Sequence, residues 1–274
     1  MDSSEHIFEF DPAAPPPAQP PPLPLAEPAG ENPIFNLLDV FLIWVIAVVA
    51  LIFCSSIAFA IIYSTHHGHL SQKELLNNVL VFLPAQVAAY ILTVGFMVLL
   101  IRRKYRMKFL EAVKWNMPGT RLGWGAVAFG AFLALGTQVA AALLSRWIPK
   151  SLPIDQYFRT PAAAWALSAF GILVAPVVEE LFFRGFLFPA LARPIGPVFA
   201  TIITALGFAL IHGDQLALAW IPLALLFIVG TVLTVARART QSVAVSVLMH
   251  VGYNTTLFTM LYITTRGFHH MELG

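Results

Sequence analysis

From residue 36 to residue 265 the chain is a succession of apolar runs, at about 36 to 64, 76 to 101, 122 to 145, 161 to 192, 197 to 212, 217 to 235 and 242 to 265. A helix rises about 1.5 Å per residue, so roughly 20 apolar residues cross the hydrocarbon core of a bilayer. Backbone in lipid must satisfy its own hydrogen bonds, and unbroken apolar runs of this length dictate helices. The expected fold class is all-α: a polytopic transmembrane bundle of about seven segments. Only 11% of the 274 residues are charged while 58% are hydrophobic. A soluble domain carries roughly 25% charged residues, so a water-soluble enzyme is excluded. The single cysteine, Cys54, lies inside an apolar run, which rules out a disulfide framework and a cysteine-based metal site.

Residues 1–34 differ in kind. Ten of the chain's 20 prolines fall between Pro12 and Pro33, with six acidic residues and no Lys or Arg. Such composition is expected to give a disordered, partly polyproline spacer, with docking of an adaptor as the alternative role. The start lacks the basic and apolar stretches of a secretory signal, so the first span is expected to remain in the mature protein.

Orientation follows from the basic loops, which tend to stay cytoplasmic. Arg102, Arg103, Lys104, Arg106, Lys108, Lys114, Arg121, Arg193, Arg237 and Arg239 fall on one side, against Lys73, Arg146, Lys150, Arg159 and Arg266 on the other. Ten against five predicts a cytoplasmic N-terminus. Beside a span, the basic run 102–108 is read as a topogenic and anionic-lipid contact, and no nucleic-acid partner is expected. Ala126, Gly130 and Ala134 form a stripe of small residues at a spacing of four, suited to close helix packing in the bundle or in a dimer.

The 33 residues from Thr160 to Ala192 hold only three charges, Glu179, Glu180 and Arg184, all in mid-run. Ionisable groups in a membrane segment are costly and face a cavity or the bundle interior, and they are read first as functional. Residues four apart lie about 40° apart around a helix, so Glu180 and Arg184 share a face and can pair, while Glu179 points elsewhere and is left free to act on a substrate. Pro176, one turn earlier, removes a backbone hydrogen bond and is expected to kink the helix, freeing a carbonyl near the acids. The spacing of four recurs in Phe208 with His212 and in His250 with Asn254. Two donors on one face suit an oxyanion. A carboxylate base, a histidine and a donor pair fit a water-activating amide hydrolase. No Ser or Cys in this set stands beside a base, so a covalent nucleophile is not indicated.

The set Glu179-Glu180-x-x-x-Arg184, Phe208-x-x-x-His212 and His250-x-x-x-Asn254 resembles the three motifs of the CPBP intramembrane proteases, the group of the type II CAAX prenyl endopeptidases and the bacteriocin-processing or self-immunity (Abi-like) proteins. The resemblance covers about residues 160–265. It implies an α-helical membrane fold with the site in an intramembrane cavity. It also implies that Glu179 activates the attacking water with His212, that Glu180 and Arg184 support the site, and that His250 and Asn254 hold the oxyanion.

The expected organisation is a tail at 1–34, N-terminal transmembrane helices at 35–159, a CPBP-like catalytic core at 160–265 and a short tail at 266–274. The expected partners are membrane lipid and a membrane-associated peptide or protein substrate, which in a eukaryotic setting the resemblance makes a prenylated CAAX protein. The expected location is a bacterial inner membrane. Glu179, Glu180, His212 and His250 also form a plausible zinc ligand set, but the chain lacks His-Glu-x-x-His, so metal-independent chemistry is favoured. Two rivals stand beside the protease: a non-catalytic immunity or scaffold protein, and a proton-coupled transporter, for which no inverted repeat is visible.

Overall fold

A computed structural model of the chain describes residues 35–65 and 79–269. The proline-rich tail, the His66–His69 connection, Lys73 and His270 lie outside the described residues. The described chain is helical almost throughout, with no strand. Helix α1 (Leu37–Thr65) is followed by α2 (Val79–Leu100), which runs into a π-helical turn at Ile101–Tyr105. A short α3 (Phe109–Ala112) precedes α4 (Thr120–Leu143). Next come α5 (Pro161–Leu173), α6 (Ala175–Glu180), a second π-helical turn at Leu181–Leu187 and α7 (Phe188–Leu210). Helices α8 (Trp220–Thr240) and α9 (Val243–Thr264) complete the bundle.

Five of the described helical stretches are long and apolar enough to cross a membrane, as an integral membrane protein requires. One of them, Pro161–Leu210, joins two of the runs expected from sequence. Gly196, flanked by Pro194 and Pro197, takes φ 80° inside α7 and divides the two runs where the sequence placed the break. Neither proline can donate to the helical ladder, and glycine alone enters this backbone region without strain. Helix α9 is not among the five. It carries Ser246, His250 and Tyr253 as buried residues and packs inside the bundle.

Polar side chains fix the element ends. Asn36 and Asp39 cap α1 reciprocally, each side chain accepting from the other's backbone N–H at 3.0 Å. Asp39 is fully buried because it also accepts from Lys104 Nζ at 2.5 Å and from the Tyr105 hydroxyl, which ties the start of α1 to the end of α2. Thr160 caps α5 and Ser242 caps α9 in the usual manner, their hydroxyls accepting from Ala163 and Val245 N–H.

The small-residue stripe works within the bundle. Ala126, Gly130 and Ala134 are buried, and α4 lies along α9 so closely that a Cβ on Gly130 would stand 1.9 Å from the Met249 carbonyl oxygen. The approach is mutual, since a Cβ on Gly252 would stand 2.2 Å from the Val127 carbonyl oxygen. Helices α4 and α9 thus clasp across the boundary between the N-terminal and C-terminal halves, and this contact sets α9 in the position from which it presents His250.

Candidate active site

The polar groups of three helical elements meet where α6 passes into its π-helical turn. Glu180 and Arg184 pair as their spacing predicts, with Arg184 Nη1 donating to Glu180 Oε1 at 2.8 Å and both side chains wholly buried. The guanidinium spends its other donors on α8: Nε donates to the Thr234 hydroxyl at 3.1 Å and Nη2 to the Gly230 carbonyl at 2.7 Å. Thr234 in turn donates to the same carbonyl at 2.7 Å. A buried charge is tolerable only when its partners replace water on every side, and this fork has three. Gly230 also lets α7 approach, because a Cβ there would lie 3.1 Å from the Ala205 Cα and from the Phe208 ring.

Glu180 Oε1 is shared. His250 Nδ1 stands 2.9 Å from it, so α9 is joined to the turn through the same oxygen that takes Arg184. With Nδ1 donating to Glu180, the opposite nitrogen of the ring faces Glu179, with Nε2 to Oε2 at 4.0 Å. Glu179 is the less buried of the two adjacent acids, 14% exposed against 0% for Glu180. It lines a cavity of about 180 Å³ that Ile211 also borders. The two adjacent acids thus differ in use: one is consumed in the scaffold and the other faces open space.

Phe208 is the hub that the motif spacing alone did not explain. Its ring lies 4.7 Å under the Arg184 guanidinium carbon, edge-on to His250 at 5.6 Å and 5.2 Å from the His212 ring. His212 follows the end of α7, where Nδ1 donates to the Phe208 carbonyl at 2.9 Å. That bond fixes the ring and leaves Nε2 as its accepting nitrogen. Asn254 is directed toward α5, its Nδ2 donating to the Gly171 carbonyl at 2.6 Å. Gly171 lies in the last turn of α5, before the break at Val174 that precedes Pro176. The second N–H of Asn254 is the one left for other use.

Glu180, Arg184 and His250 are therefore in direct contact, Glu179 and Phe208 border that cluster, His212 adjoins it through Phe208, and Asn254 tethers α9 to α5. Thr234 and Gly230 escape sequence reasoning because neither is unusual in a membrane helix. Among the described residues no three His, Cys, Asp or Glu side chains are grouped so as to hold a metal ion. Of the four zinc candidates, Glu180 Oε1 is shared by Arg184 Nη1 and His250 Nδ1, while His250 Nε2 faces Glu179.

Residues 161–256 match the family model described as type II CAAX prenyl endopeptidase Rce1-like, a family of proteases, and the match spans all three motifs. The likeness to the CPBP group read from the motifs is thereby supported over this segment. An uncharacterized protein, YyaK of Bacillus subtilis (strain 168), is 26% identical over 250 residues, covering 87% of this chain and 81% of its own length. No solved structure matches the chain.

Proposed function

We propose that the protein is an intramembrane endopeptidase that hydrolyses a peptide bond of a membrane-associated substrate by direct attack of water. The observation that carries the reading is the asymmetry of the two acids: Glu180 is neutralised by Arg184 and His250, while Glu179 stands at the cavity, 4.0 Å from the second nitrogen of the same imidazole. Glu179 takes a proton from water as the oxygen attacks the substrate carbonyl carbon. His212, its Nδ1 anchored, accepts a second hydrogen bond from that water through Nε2. The carbonyl becomes a tetrahedral oxyanion, met by the free N–H of Asn254 and by the ring of His250. The C–N bond then breaks, and the proton held by Glu179 passes to the leaving amine. Glu180, Arg184, Thr234 and Gly230 hold the imidazole in register and touch no reacting atom.

Glu179→Gln keeps the shape of the side chain and removes the base. Membrane peptides from cells carrying the wild-type protein and the Glu179→Gln variant are compared by mass spectrometry. Cleavage products present with the first and absent with the second are expected, and identical peptide sets overturn the assignment. On the same reading the chemistry needs no metal: cleavage by the purified protein should survive a strong chelator, and loss that zinc reverses refutes that part. The chain is expected to work in a bacterial inner membrane with its N-terminus in the cytoplasm.

A further inference from the structure

The cavity at Glu179 is walled on its far side by the first two helices, which the three motifs do not include. Helix α1 packs chiefly along α2, and meets the rest of the bundle at the π-helical turn Leu181–Leu187 and at α7. Trp44, Ala47 and Val48 of α1 and Gln86 and Tyr90 of α2 face the same space as Glu179. The lining is mostly apolar. Gln86 and Tyr90 lie one turn apart on α2, and the Tyr90 ring stacks on Phe170 of α5 at 5.6 Å between centroids. That stacking ties α2 to α5 beside the cavity.

Volume decides what fits. Sites for drug-sized ligands occupy roughly 300–1,000 Å³, and this space measures about 180 Å³. It accommodates one large side chain and is too small for a whole lipid chain. A substrate placed with its scissile carbonyl at Glu179 must put a neighbouring side chain somewhere, and the apolar recess beside the acid is the space available to it. Room for bulk comes from Ala47, whose methyl is the smallest side chain contributed by α1.

We infer that this recess between α1 and α2 is the specificity pocket of the peptidase, taking one bulky apolar residue that flanks the cleaved bond, with Ala47 and Val48 setting its size. The inference rests on the peptidase reading and goes beyond it by naming which substrates are cut. A peptide that places Gly or Ala beside the bond leaves the recess unfilled and is cut slowly. One that places Leu, Met or Phe there is preferred. In an apolar pocket a single methylene is worth about 10–200-fold in selectivity, so the preference for Leu over Ala is expected to exceed tenfold.

The test uses the full-length protein in detergent micelles with a mixed-sequence peptide library, the residues flanking each cut being read by mass spectrometry and Glu179→Gln serving as the blank. Ala47→Phe fills the recess and should transfer preference from Leu and Phe to Gly and Ala while cleavage of small-residue peptides persists. Val48→Ala enlarges it and should move preference toward Phe and Trp. Because Ala47→Phe can fail through misfolding, the Val48→Ala variant decides in that event. Glu179-dependent cleavage whose flanking preference is the same in wild type and in the folded variants overturns the pocket and leaves the peptidase standing. Absence of any Glu179-dependent cleavage overturns both.

Discussion

Arg184 and the two acids before it show how far a single buried charge organises its neighbours. The guanidinium is fully buried and makes three hydrogen bonds, to Glu180, Thr234 and the Gly230 carbonyl. Removing one partner of a buried ion pair costs about 3–5 kcal/mol, because the other charge is left stranded. Glu180→Gln should therefore lower the thermal unfolding temperature in detergent far more than Glu179→Gln, whose side chain has no cation bonded to it in the scaffold. Equal losses would mean that the two acids do not divide their roles in this way. Thr234 offers a finer probe. Thr234→Val removes the acceptor for Arg184 Nε, and a hydrogen bond to a charged group is worth about 1.5–3 kcal/mol. Thr234→Ser keeps the hydroxyl and should restore most of the lost stability, which unfolding measurements on the three proteins will check.

At the scale of helices, the position of the site depends on how closely α4 and α9 approach. A methyl at residue 130 would enter the Met249 carbonyl, and backbone atoms cannot move aside as a flexible side chain can. Overpacking of this kind costs typically 1–3 kcal/mol and sometimes more. Gly130→Ala should destabilise the protein by at least that amount and reduce cleavage, since His250 lies one residue beyond Met249. Gly136→Ala on the same helix meets nothing within 4 Å, so it should be neutral or slightly stabilising. Matched unfolding curves for the two variants would separate packing from helix propensity. The small-residue stripe was legible in the sequence because glycine and alanine at a spacing of four have few other uses in lipid. The pairing of Glu180 with Arg184 was legible for a similar reason, since helical spacing alone fixes it. The π-helical turn Leu181–Leu187 was not legible: nothing in Leu-Phe-Phe-Arg-Gly-Phe-Leu distinguishes it from ordinary helix. Nor were Gln86, Tyr90 and the cavity they face. In a membrane helix both lipid-facing and bundle-facing positions are apolar, so periodicity does not tell which side chains turn inward. Only charges announce themselves, and α2 has none before its final turns.

Across the whole molecule, the orientation inferred from charge can be set against the arrangement of the helix ends. The stretch after α2 is bonded to the turn between α8 and α9, with Val243 N–H donating to the Lys114 carbonyl at 3.0 Å, Lys114 Nζ to Gln241 Oε1 at 2.5 Å and Asn116 Nδ2 to the Gln241 carbonyl at 2.7 Å. Ala238 of α8 packs against Phe188, Leu191 and Ala200 on either side of the Gly196 bend, which brings Arg193 to the same end. The three basic regions that the sequence assigned to one side, around Arg102–Lys108, Arg193 and Arg237–Arg239, are thus gathered at one end of the bundle. A positive end of this kind tends to remain cytoplasmic, because translocating Lys and Arg is disfavoured while acidic residues weigh little. Cys54→Ser provides a background without thiols, since the chain has one cysteine. In that background Met117→Cys and Arg239→Cys should be protected from a membrane-impermeant thiol reagent added to intact cells, and Lys150→Cys should react. Labelling of the first two and protection of the third would reverse the orientation. Met117→Cys and Arg239→Cys responding oppositely would break the bundle itself, since residues at one end cannot lie across a membrane from each other.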